Sequence, residues 1–140
     1  MPQNNKIVED QFILVGEDDL DDQEFLREVF ASIDESFKLH FALNGKELLS
    51  YLEKKEGHDL PCLILLDYNM PGMTGLEILK ELKKDPRYEK IPKIVWSTSR
   101  SPLDKDDCIQ LGAVDYLVKP STVKDLTDIC KYMLSTCLSA

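Results

Sequence analysis

Cys62-Leu63-Ile64-Leu65-Leu66-Asp67, followed by Tyr68-Asn69-Met70-Pro71-Gly72-Met73-Thr74-Gly75, decides how this chain is read. The apolar run has the length of a buried strand and is far below the ~20 residues that span a bilayer. It stops at an acid, and the Pro and Gly content of 69–75 marks a loop. From Leu76 the apolar residues Leu76, Ile78, Leu79 and Leu82 recur at helical spacing until Asp85-Pro86 stops the helix. Strand, acid, loop and amphipathic helix make one repeating unit.

The same unit recurs to either side. Upstream, Phe12 to Val15 reads as a strand and Leu20 to Ser32 as a helix, with Phe25, Leu26, Val29, Phe30 and Ile33 on one face. Asp21 and Glu24 have the spacing of a capping box. Phe37 to Leu43 alternates as a second strand, and Gly45 to Lys55 is helical. Downstream come a strand at Ile94 to Trp96, a helix from Pro102 to Leu111 ended by Gly112, and a strand at Ala113 to Val118. The last helix, Val123 to Leu138, turns Leu126, Ile129, Cys130, Met133, Leu134 and Cys137 inward. Five strand–helix units predict a parallel five-stranded sheet covered on both faces, a three-layer flavodoxin-like (βα)5 fold with strand order 2-1-3-4-5. One domain is expected over 1–140, with its core at about 10–138.

Composition narrows the function. Of 140 residues, 43% are apolar and 31% charged, which suits a folded globular chain, and the net charge of −9 excludes binding to nucleic acid through a basic surface. The polar segment Met1 to Lys6 is no signal peptide, so a cytoplasmic protein is expected, away from membranes. Four cysteines, Cys62, Cys108, Cys130 and Cys137, form no C-x-x-C pair. Cys130 and Cys137 lie about 10 Å apart on one helix, too far for a bridge, and free thiols are expected.

In such a sheet, ligands bind beyond the carboxyl ends of the strands. The residues there are Glu17-Asp18, Asp67, Ser97-Thr98 and Lys119-Pro120. Each alone has a plainer reading: an acid after a strand commonly caps a helix, and a lone Lys is commonly a solvated charge. Together, three crowded acids call for a cation, and their hard oxygens favour Mg²⁺ beside a phosphate. His40 and His58 lie in the second strand and a polar loop, without chemical roles. Asp67 can then act as the nucleophile that forms an acyl phosphate, with Lys119 and Ser97 meeting the phosphoryl oxygens.

In this order, Glu17-Asp18, Leu66-Asp67 through Gly75, Ser97-Thr98 and Asp115-Tyr116-Leu117-Val118-Lys119-Pro120 resemble the receiver domains of two-component response regulators, over roughly Gln11 to Leu138. The resemblance implies that Asp67 is the phosphoacceptor and Asp18 a direct Mg²⁺ ligand. It also implies that Glu17 acts largely through water and that Asn69 offers its backbone carbonyl to the metal. Ser97 corresponds to the hydroxyl that moves to the phosphoryl group, Tyr116 to the aromatic switch that turns inward, and Lys119 to the phosphate-binding lysine. The peptide before Pro120 is expected to be cis. Asn69 and Ser99 border the path of the attacking water. Ser97 in place of the commoner Thr, Glu17 in place of Asp, and Gly16 in place of an apolar residue depart from the usual pattern without removing a required group. The stretches Asp85-Pro86 to Ile91-Pro92 and Trp96 to Ser99 resemble regulators found with bacterial phytochrome kinases.

By this resemblance the donor is a sensor histidine kinase or a histidine phosphotransfer protein. No output module is expected beyond the last helix, and the signal is expected to leave through the face around helix four, strand five and helix five. That face would serve an unknown downstream protein or a homodimer. An aspartyl phosphatase is the enzymatic alternative, but it requires an acid where Asn69 stands. A flavin carrier requires a Gly-rich, hydroxyl-rich loop where Glu17 to Asp22 stand. A scaffold of the same fold that is never phosphorylated would have no need of the intact acids, Ser97 and Lys119.

Overall fold

Strand β1 (Phe12–Gly16) lies inside the sheet, next to its edge strand, and leads into helix α1 (Leu20–Ile33). The alternation continues through β2 (Lys38–Ala42), α2 (Gly45–Glu53), β3 (Leu63–Asp67), α3 (Gly75–Lys83), β4 (Lys93–Ser97), α4 (Pro102–Gln110), β5 (Asp115–Val118) and α5 (Val123–Leu138). Short 3-10 turns at Gly57–Asp59 and Pro86–Tyr88 precede β3 and β4. This computed structural model describes residues 11–98 and 101–138; Ser99, one of the residues expected beside the water path, lies outside them.

All strand pairs are parallel and the order is β2-β1-β3-β4-β5, as the alternation predicts. Successive side chains leave a strand on opposite faces, so each central strand feeds two cores. Leu14, Ile64, Leu66 and Val95 pack with Leu48 and Leu52 of α2, Ile78, Leu79 and Leu82 of α3, and Cys108 of α4. Ile13, Val15, Leu63, Leu65, Ile94 and Trp96 pack with Leu26, Val29 and Phe30 of α1 and with Leu126, Cys130, Met133 and Cys137 of α5. Burial on both faces is why β1, β3 and β4 read as unbroken apolar runs. Gly16 breaks the run because Met70 fills its place: a Cβ there would lie 2.9 Å from Met70 Cε.

Several local expectations are corrected. The N-cap of α1 is Asp19, whose side chain accepts from the N–H groups of Asp21 and Asp22, not an Asp21–Glu24 box. The helix begins at Leu20, so Asp21 already lies inside its first turn. The Lys119–Pro120 bond is trans, with no cis peptide among the described residues; trans is the isomer an X–Pro bond intrinsically prefers by about 0.5–1 kcal/mol.

The expectation of four free thiols also fails. Cys62 and Cys137 form a disulfide with their Cα atoms 5.1 Å apart, across a sequence separation of 75. Spacing along one helix could test Cys130 against Cys137, but only the packing of the end of α5 beside the start of β3 brings Cys62 into reach. Cys108 and Cys130 are free and buried, and burial pushes their thiols up to about 11 and about 12. Among the described residues no helix is long and apolar enough to cross a membrane.

Candidate functional site

The parallel sheet carries Glu17, Asp67 and Ser97 to one rim, because each ends or follows a strand at its carboxyl end. Glu17 extends β1 by one step, donating its N–H to Ala42 O at 3.0 Å. Its side chain is fully buried, and its Oε2 accepts from Asp19 N at 3.1 Å. The Gln23 side chain, also buried, donates to Glu17 O at 2.8 Å and pins the backbone there.

Asp67 closes β3 and is 5% exposed. Its Oδ1 accepts from Asn69 N at 3.0 Å, and its Oδ2 accepts from Lys119 Nζ at 2.8 Å. The loop after it folds back tightly: Gly75 N donates to Tyr68 O at 2.8 Å, and a Cβ on Gly75 would meet Tyr68 Cα at 3.1 Å and Asp67 O at 3.3 Å. Glycine makes that approach of backbone to backbone without displacement, whereas any side chain would push the neighbouring backbone by a few tenths of an ångström. The approach starts α3 directly beyond the acid, where Thr74 and Glu77 complete a capping box.

Lys119 crosses from the end of β5. Its backbone N–H donates to Ser97 O at 2.8 Å, and its ammonium lies 5.5 Å from the centre of the Trp96 ring. Three carboxylates surround Nζ at 2.8 Å each, those of Glu17, Asp22 and Asp67. Asp22 and Asp67 accept hydrogen bonds from it, whereas Glu17 Oε1 meets it at ion-pair distance without hydrogen-bond geometry. Burial alone would lower the Lys119 ammonium; the hydrogen bonds to Asp22 and Asp67 and the adjoining Glu17 carboxylate outweigh it and hold the charge firmly on. Glu17 is pushed up to about 7, chiefly by burial and further by the Asp67 charge, against the pull of Lys119.

Ser97 is fully buried at the end of β4, where it pairs with Val118, one step beyond the Trp96–Asp67 pair. Tyr116, beside Val95 in the register, is turned into the molecule at 6% exposure, its ring edge-on to Tyr68 at 6.2 Å. The Tyr68 hydroxyl reaches Asp104 Oδ1, on the first turn of α4, at 3.5 Å. His40 stacks on Tyr51 at 4.0 Å, consistent with packing.

Glu17, Asp18 and Asp67 each offer a carboxylate oxygen within 4.8 Å of the others. Asp18 is exposed while its two partners are buried, so the group opens to solvent on one side. Glu17 Oε1 is buried without a hydrogen-bond donor, its near neighbour being the Lys119 ammonium at 2.8 Å. An all-oxygen set open on one side suits a hard divalent cation that keeps some water. Asp22 and Gln23 were not singled out from the sequence, since an acid and an amide in the first turns of a helix normally serve the helix alone.

The chain matches the model of the response regulator receiver domain over residues 13–131. It is 33% identical over 117 residues to the two-component response regulator ORR11 of Oryza sativa, covering 82% of this chain and 78% of that protein. It spans only about a third of the length of other curated plant regulators that it matches. Among solved structures, the phosphorylated cyanobacterial phytochrome response regulator RcpA superposes with a TM-score of 0.80 at 30% identity, covering 92% of this chain and 94% of that one. The Mn²⁺-bound response regulator Rcp1 superposes with a TM-score of 0.76 at 30% identity, covering 89% and 92%.

Proposed function

This chain belongs to the response regulator receiver family, and from that premise we propose that Asp67 accepts a phosphoryl group from a phosphohistidine. The observation that carries the reading is the setting of Asp67: a buried strand-end acid with one oxygen on Lys119 Nζ at 2.8 Å and with Glu17 and Asp18 close by. In the transfer an Asp67 oxygen bonds to phosphorus as the P–N bond of the donor breaks, and the leaving imidazole takes up a proton. Lys119 and the Ser97 hydroxyl hold the phosphoryl oxygens, and the Asn69 N–H keeps the carboxylate oriented. Glu17, Asp18, Asp67 and the Asn69 carbonyl would hold Mg²⁺, which when bound neutralises developing charge on the phosphoryl group. The Mn²⁺-bound relative supports a divalent cation of this kind, and the phosphorylated relative supports the acceptor role.

The donor in this reading is a sensor histidine kinase or histidine phosphotransfer protein in the cytoplasm, and the phytochrome regulators among the neighbours favour a light-sensing kinase. The chain works as one receiver unit that receives and loses phosphate without turning over external substrates. Tyr116, packed on Tyr68 and thereby close to α4, links the site to the α4–β5–α5 face, where a downstream protein or a second copy would dock. The test is incubation with a small acyl phosphate and Mg²⁺. Wild type should gain one phosphate, and Asp67→Asn should gain none; equal labelling of the two would remove Asp67 from its role.

A further inference from the structure

Lys119 is a point charge on a flexible four-carbon stem, and something must aim it. Of the three carboxylates around Nζ, two have other duties under the proposed function: Asp67 becomes the acyl phosphate, and Glu17 belongs to the cation's oxygen set. The third, Asp22, stands outside that set. It lies on the first turn of α1, 97 residues from Lys119 in sequence, and accepts a hydrogen bond from Nζ at 2.8 Å. The turn itself is fixed by the Asp19 cap, which accepts from Asp22 N at 3.1 Å, and by the Gln23 bond to Glu17 O. Asp22 therefore offers Lys119 a rigidly mounted acceptor on an element that the transfer does not touch.

We propose that Asp22 is a positioning residue for phosphoryl transfer: its carboxylate anchors the Lys119 ammonium, leaving the remaining N–H donors aimed at the phosphoryl oxygens once Asp67 and Glu17 are engaged elsewhere. This rests on Asp67 being the phosphoacceptor. An acid near the start of a helix also has a purely local use against the helix dipole, and Asp21, exposed on the same turn, has that use equally. The two residues therefore separate the roles.

The test compares wild type, Asp22→Ala, Asp22→Asn and Asp21→Ala as full chains, with thermal melts to confirm folding and Asp22→Ser as a second truncation should the alanine variant not fold. Trp96 is the chain's single tryptophan and lies beside the Lys119 ammonium, so its emission at saturating Mg²⁺, with Glu17 and Asp67 engaged by the cation, reports where Lys119 sits. Asp22→Ala should shift that emission and slow labelling by a small acyl phosphate at saturating Mg²⁺ about tenfold, the lower end of what loss of a supporting hydrogen bond costs a site. Asp22→Asn keeps an acceptor oxygen and should stay within about twofold of wild type. Asp21→Ala should match wild type in both measurements. Normal labelling of Asp22→Ala, unchanged Trp96 emission despite slow labelling, no rescue by asparagine, or equal slowing by Asp21→Ala would each overturn the proposal. If wild type is labelled and Asp67→Asn is not, such a result removes Asp22 alone; if wild type is not labelled, the phosphoacceptor reading falls and this one with it.

Discussion

The Glu17 carboxyl, shut off from solvent beside Asp67 and Lys119, is pushed up to about 7 from an ordinary value of 4.5. Burial is the main cause, and the consequence for cation binding has a definite sign. Below about 7 the metal-free protein carries a proton on Glu17, which a divalent cation must displace, so binding releases a proton and weakens as pH falls. Apparent Mg²⁺ affinity, followed through Trp96 emission, should rise from pH 6 to pH 8 and then level off. Glu17→Gln should flatten that rise. Without a cation the sign for folding is the reverse. A carboxyl whose folded value exceeds its unfolded one contributes least above its folded value, so stability from this group declines between about pH 4.5 and 7.

Helix α3 owes its placement to the two residues that start it. Thr74 accepts from Glu77 N at 3.2 Å, and Glu77 Oε1 accepts from Thr74 N at 2.8 Å, so two of the helix's orphan donors are satisfied reciprocally. Thr74→Ala should lower stability by about 1 kcal/mol, read as a lower denaturant midpoint at unchanged slope. Because Asp67 is held by Lys119 and Asn69 rather than by α3, phosphorylation by a small donor should change less than stability does. Elements of this kind were legible in sequence wherever period and punctuation agreed. Val123–Leu138 is found as read, whereas α3 begins at Gly75 with Thr74 as its cap, one residue ahead of the Leu76 start given by the apolar spacing. The start of α1 at Leu20 is found as read, but its cap was misassigned because Asp18, Asp19, Asp21 and Asp22 can each cap a helix; backbone geometry selected Asp19, which is extended at φ −82° and ψ 116°.

At the scale of the molecule, the Cys62–Cys137 bridge ties the end of α5 to the start of β3, at the opposite end of β3 from Asp67. A cross-link spanning 75 residues restricts the unfolded chain strongly, so Cys62→Ser or reduction by a dithiol should destabilise the fold by about 2–4 kcal/mol. Equilibrium unfolding with and without reductant measures this directly, and alkylation with mass analysis counts the thiols released. A cytoplasm that keeps thiols reduced would hold the protein at the lower of the two stabilities. The bridge is remote from the phosphoacceptor, so labelling of the reduced, folded protein should match that of the oxidised form.

Period and strand-end chemistry were enough, from the sequence alone, for the five-unit α/β architecture and the placement of Glu17, Asp18, Asp67, Ser97 and Lys119 on one rim. These follow from short-range rules: residues alternate across a strand, recur every turn of a helix, and fall at the carboxyl end of a parallel strand. Side-chain contacts between one element and another were left to the tertiary structure. Asp22 meeting Lys119, Gln23 holding Glu17, and Cys62 meeting Cys137 join elements 6 to 97 residues apart, through side chains that in isolation have adequate local explanations. Periodicity says which face of an element is buried; only packing decides which partner that face meets, and here packing chose the third carboxylate around Lys119.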